Sequence, residues 1–112
     1  MSRTEPAHTL AARAPVFAAL GDETRLELVS RLCDGPARSI AELTDGLGLT
    51  RQGVTKHLRV LENAGIVTSS RVGRQSQFTF VPESVEDMQS YLDSVSRQWD
   101  DALSRLKSFV EP

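Results

Sequence analysis

The chain has 112 residues, of which 39% are hydrophobic and 25% charged, with a formal net charge of −2 and one cysteine. That suffices for one domain with one core and not for two ordinary ones, and no apolar run approaches the ~20 residues that cross a bilayer. The lone Cys33 excludes an intramolecular disulfide and fits a reducing cytoplasm, and the N-terminus lacks the long apolar stretch of a secretory signal.

An acidic total argues at first against a nucleic-acid partner, but the charge is unevenly spread. Residues 1–50 hold five arginines and seven acids, and residues 82–112 three bases and seven acids. Between them, Arg51, Lys56, Arg59, Arg71 and Arg74 face Glu62 alone. A phosphate backbone responds to such a local concentration rather than to the sum. Charge by itself does not separate this reading from a merely solvated basic face.

Residues 1–8 read as a loose tail. Leu10, Ala14, Phe17 and Ala18 then form a weak helical stripe interrupted by Pro15, which belongs in a first turn rather than mid-helix. The expectation is a break near Ala14 or a helix beginning there. Asp22 can cap a helix through Leu32 or Cys33, whose Leu26, Leu28, Val29 and Leu32 imply burial over much of its girth. Cys33 reads as a small core residue. After the Gly35-Pro36 turn, Ser39 and Glu42 have capping-box spacing, with Ile40, Leu43 and Leu47 directed inward.

Gly46 and Gly48 supply a tight turn, and Thr50 caps the next helix at once. Gly65 suits the left-handed position that ends it. Between the caps, Val54, Leu58 and Leu61 at i, i+4 and i+7 face a core. Arg51, Gln52, Thr55, Lys56 and Arg59 form a face of long donors. Two short amphipathic helices joined by a glycine-containing turn are a helix-turn-helix spanning 39–64, and the front of the second helix suits the DNA major groove. Gly53, costing about 1 kcal/mol of helix propensity, implies close approach to another helix or to DNA.

Residues 66–81 place β-rich Ile66-Val67 and Phe78–Val81 around Arg71-Val72-Gly73-Arg74-Gln75, a hairpin with a basic tip. Pro82 opens a helix to about residue 110. Val85, Met88, Leu92, Val95, Trp99, Ala102, Leu106 and Phe109 alternate spacings of three and four, a sustained heptad seam whose simplest partner is the same helix of a second copy. The alternative is a helix folded back on its own domain. The fold class expected is mostly α with a small β-hairpin: a winged helix-turn-helix with a long C-terminal dimerisation helix.

Phe17-x2-Leu20-Gly-Asp-x-Thr-Arg-Leu26, Ser39-Ile-Ala-Glu-Leu, Gly48-Leu-Thr, Val54-x2-His57-Leu-x2-Leu61 and Ala64-Gly-Ile-Val67 together resemble the ArsR/SmtB winged-helix repressors, over about residues 15–81. The resemblance implies a homodimer joined through its first and last helices, which adds Leu10 and Phe17 to the seam residues. It also implies binding to an inverted-repeat operator and release by a signal. Metal-sensing members carry cysteines before the recognition helix or Asp, His and Glu sets on the last helix. Here Ala41–Asp45 has no cysteine and the last helix no histidine, so no transition-metal site is expected. No cofactor is expected either. His57 reads as a packing or phosphate-contacting residue rather than a ligand. Intramolecular dithiol sensing fails for want of a partner to Cys33, and the inducer stays open. A small-molecule effector between the last helices near Trp99 competes with the commoner role of an a-position residue as core.

Arg51, Gln52, Thr55 and Lys56 are the candidate base readers, since Arg pairs best with guanine and Gln with adenine. Arg59 and the wing's Arg71 and Arg74, with Gln75 beside them, suit the backbone, where Ser39 and Thr50 add helix-start contacts. Two other classes remain. One is a winged helix that binds protein; the acid-free face and the wing arginines count against it. The other is an enzyme, for which no nucleophile–base pair, phosphate loop or metal cluster is visible.

Overall fold

A computed structural model of the protein describes residues 9–110, so the tail proposed for residues 1–8 lies outside the described residues. The elements run α1 (Leu10–Leu20), α2 (Glu23–Leu32), β1 (Arg38–Ser39), α3 (Ile40–Thr44), α4 (Arg51–Asn63), β2 (Val67–Val72), β3 (Gln75–Phe80) and α5 (Pro82–Val110). This is a winged helix-turn-helix: mostly helical, with a small antiparallel sheet of order β1-β3-β2. No helix among the described residues is long and apolar enough to cross a membrane.

Local chemistry sets most boundaries. Thr9, Asp22, Ser39 and Thr50 each accept a backbone N–H with the side chain at the start of a helix, which satisfies one of its orphan donors. At Ser39 the capping box is complete, because Glu42 Oε1 also accepts the Ser39 N–H at 2.9 Å. Gly65 follows α4 at φ +79°, a conformation that is costly for any residue with a Cβ. The hairpin turn consists of Gly73 and Arg74, with Val72 paired to Gln75. Gly73 has φ +63° and Arg74 does not share the positive sign, the II′-like combination that matches the twist of paired strands.

The core is built from Leu28 and Leu32 of α2, Leu43 of α3, Val54, Leu58 and Leu61 of α4, Ile66 and Phe78, none of them accessible to solvent. Arg31 adds a polar staple from α2 to the turn before α4, donating to the carbonyls of Leu43 and Asp45 at 3.2 and 2.6 Å.

Several expectations need correction. The helix α1 neither breaks nor starts at Pro15 but runs through it. Proline removes the donor to the carbonyl of Ala11; both residues are exposed, so water can take that carbonyl. Leu26 is 53% exposed, so α2 buries one stripe rather than most of its girth. Cys33 is exposed, because α2 ends at Leu32 and the chain turns outward through Asp34, Gly35 and Pro36. The short strand β1 was not anticipated. It pairs Arg38 with Phe78 and Ser39 with Gln77, and so ties the start of α3 to the wing.

The helix α5 divides in two. Its first turns lie on α1: Arg13 Nε and Nη2 reach the two carboxylate oxygens of Asp87 at 3.2 Å each. The Phe17 and Tyr91 rings sit 5.8 Å apart. Met88 is 5% exposed, which corrects its assignment to an intersubunit seam, since its own chain already covers it. Val85, Val95 and Phe17 are half-buried. From residue 96 onward every described residue is exposed.

Candidate nucleic-acid interface

A groove of about 730 Å³ runs between the start of α3, the front of α4 and the tip of the wing. Ser39, Ile40 and Ala41 form one wall, Arg51, Gln52, Thr55 and Lys56 the floor, and Arg74, Gln75 and Ser76 the other wall. It therefore gathers seven residues expected from the sequence, from three separate elements, and holds three cations and no acid. The pairing of β1 with β3 fixes the spacing of the walls. The floor is set by α4: with Val54, Leu58 and Leu61 buried, Arg51, Thr55, Gln52 and Lys56 lie roughly 60°, 100°, 160° and 200° around the helix from Val54 at about 100° per residue.

These cations are uncommitted. Among the described residues, Arg51, Lys56, Arg71 and Arg74 form no ion pair. Thr55 Oγ1 donates to the Arg51 carbonyl at 2.7 Å, which leaves its lone pairs outward. Thr50 Oγ accepts from Gly53 N at 3.0 Å, and Ser39 is buried in its capping box. Both serve first as caps; the exposed Thr50 hydroxyl only accepts here and keeps its O–H to donate. Gly53 is not crowded by another helix: a Cβ there would meet only Thr50 Oγ1, at 3.4 Å.

His57 lies away from this surface. The same rotation places it roughly 60° to the other side of Val54, and its Nδ1 sits 3.1 Å from Arg25 Nη1 and 3.8 Å from Asp22 Oδ2. That corrects its grouping with the DNA-facing residues. The helical wheel carried the signal, because His57 falls on the flank shared with Val60. Arg59 is committed within the chain: Nη1 donates to Glu62 Oε1 at 2.7 Å and the guanidinium lies 5.9 Å from the centre of the Phe78 ring. Arg71 and Thr50 are exposed outside the groove lining.

Ile40, Ala41 and Ser76 also line the groove, although Ile40 was expected to face inward and is half-buried. None of them carries a charge that would mark it as a groove residue. Glu62 was also missed as an organiser. It accepts from Ser69 Oγ of the wing as well as from Arg59, clamping β2 to the end of α4. The Ser69 hydroxyl first, then Arg59, hold its carboxyl below the usual carboxylate range.

Fold and groove together define a DNA-binding transcriptional regulator of the winged helix-turn-helix class. A helix-turn-helix domain model matches residues 20–70. An ArsR-like transcriptional regulator from Rhodococcus sp. RHA1 superposes with a TM-score of 0.76 at 34% identity, over 90% of this chain and 94% of that one. The HTH-type transcriptional regulator YuzN of Bacillus subtilis is 38% identical over 65% of this chain and 86% of its own. The HTH-type transcriptional repressor SmtB of Mycobacterium tuberculosis is 30% identical over 88% and 70%. The chain belongs to the ArsR/SmtB family.

A carboxyl whose folded pKa is depressed contributes stability above its unfolded value and loses it as pH falls through the folded one. Glu62→Gln should therefore flatten the acid limb of the stability curve. Between about pH 6 and about pH 3.5, urea midpoints should fall further for the wild type than for the variant; parallel declines would remove Glu62 as a wing clamp.

Proposed function

We propose that the protein is a homodimeric, sequence-specific repressor that acts in the cytoplasm, reads an inverted-repeat operator through α4 and grips its backbone with the wing. Its releasing signal is not a transition metal. The observation that carries the reading is the groove of unpaired cations without an acid, placed on the exposed face of a helix whose opposite face is wholly buried. Such a surface matches a major-groove edge flanked by phosphates. Uncommitted cations on an acid-free face count against a winged helix that binds protein instead.

Dimerisation is supported by apolar surface that the chain leaves uncovered. Leu10, Leu92, Trp99, Leu103, Leu106 and Phe109 are 52–90% exposed, and Ala102 lies among them on α5. So many exposed large apolar side chains are uncommon on monomers. At about 1.5 Å per residue, the 29-residue helix spans roughly 43 Å, beyond what its own domain covers. Twofold symmetry would set the two α4 helices to successive major grooves, about 34–36 Å apart. Metal independence is supported by the absence of histidine from α5 and by the isolation of Cys33 at the end of α2.

Arg51→Ala should cost about 1–3 kcal/mol on the cognate duplex and relax preference at one base position. Competition against single-base variants reads this, and an equal loss on scrambled DNA would make Arg51 a phosphate contact instead. Trp99→Glu should place a charge in the seam and halve the mass seen by sedimentation equilibrium with helical circular dichroism retained. An unchanged mass would contradict the α5 interface.

A further inference from the structure

A second concavity, of about 420 Å³, lies on the far side of α1 and is lined by Pro15, Ala18 and Ala19 of α1, Arg25 of α2, and Val60, Asn63 and Ala64 around the end of α4. Its volume falls within the ~300–1,000 Å³ of small-molecule sites and its walls are apolar with few polar groups; it is an open depression, with Pro15, Ala18, Val60 and Asn63 exposed. The cleft opens away from the α5 contact. Around α1, at about 100° per residue, Pro15, Ala18 and Ala19 face roughly opposite to Arg13 and Phe17, which hold α5.

Arg25 is the only charged group in the lining, and it joins three helices. Its Nε donates to the Ala19 carbonyl of α1, and its Nη1 lies 3.1 Å from His57 Nδ1 of α4. A guanidinium has donors only, so His57 Nδ1 is the acceptor in this contact. Among the described residues, Arg25 Nη2 makes no hydrogen bond. The site thus offers an apolar slot ending in a guanidinium with donor capacity to spare, and its anchor also holds the recognition helix.

We propose that this cleft is the effector site, and that it takes a small monocarboxylate with an aromatic or branched aliphatic body. The carboxylate accepts from Arg25 in the two-pronged geometry that favours Arg over Lys. In doing so it competes with His57 for Nη1. The imidazole then loses its donor, with Asp22 Oδ2 at 3.8 Å beside it, and α4 loses this polar tie to α2 while its apolar packing stays. An effector shifts DNA affinity only through such a contact made differently in the two states. The effect on DNA rests on the regulator reading above; the binding itself does not.

The test titrates the full-length protein with benzoate, and with the neutral benzamide as control, by ¹H–¹⁵N NMR. Benzoate should move the Arg25 side-chain Nε–H and the amides of Ala18, Asn63 and Ala64; benzamide should not, and Ala18→Phe, which fills the slot from an exposed position, should abolish the response. Equal shifts from both compounds, no shift at Arg25, or an undiminished response in Ala18→Phe would overturn the site. On a duplex that the protein binds, benzoate should weaken affinity several-fold, within the ~5–150-fold range of ordinary coupling, in the wild type and not in Ala18→Phe. Bound benzoate with unchanged DNA affinity would overturn the coupling. If no duplex is bound at all, the regulator reading fails, while the NMR titration still decides the site.

Discussion

Everything the surface of this protein does depends on the burial of Val54, Leu58 and Leu61. All three are wholly inaccessible, and together they fix the rotation of α4 about its axis. A helix free to turn would offer a mixture of faces. This one is locked by side chains each worth about 1.5–3 kcal/mol on burial. One flank then presents Arg51, Gln52, Thr55 and Lys56, and the other presents His57 and Val60 to the neighbouring helices. The N-cap at Thr50 and the left-handed Gly65 set where that surface begins and ends.

The distribution of ion pairs follows the same division. Arginines that organise the fold are committed: Arg13 to Asp87, Arg31 to two carbonyls, Arg25 to Ala19 and His57, and Arg59 to Glu62. Those around the groove are not. Surface ion pairs contribute little stability, so a cation left without one costs the fold little and keeps its full charge for a phosphate. The net charge of −2 hides this arrangement.

Much of the frame was legible because it is written in local chemistry. Caps at Asp22, Ser39 and Thr50, glycines after helices, the i, i+4, i+7 stripe of α4 and the β-rich runs around Gly73 each act within a few residues. What escaped depends on tertiary placement. Pro15 in mid-helix is tolerated because its neighbourhood is exposed. The strand β1 is two residues long and exists only through its pairing with β3. Met88 belongs to a heptad pattern, yet that pattern does not say where intramolecular cover by α1 ends and exposed seam begins. His57 was legible in principle, since 100° per residue puts it on the wrong flank, but its partners Asp22 and Arg25 lie more than thirty positions away in the chain.

The central claim is that the groove reads duplex DNA. Its most direct test is a fluorescence-anisotropy titration of the upstream DNA of the protein's own gene against a scrambled duplex, at several salt concentrations. The account predicts dimer-stoichiometric binding that exceeds the scramble by orders of magnitude, with a log–log salt slope of about −0.9 for each phosphate contact. Weak binding that is equal on both duplexes and insensitive to salt would contradict it.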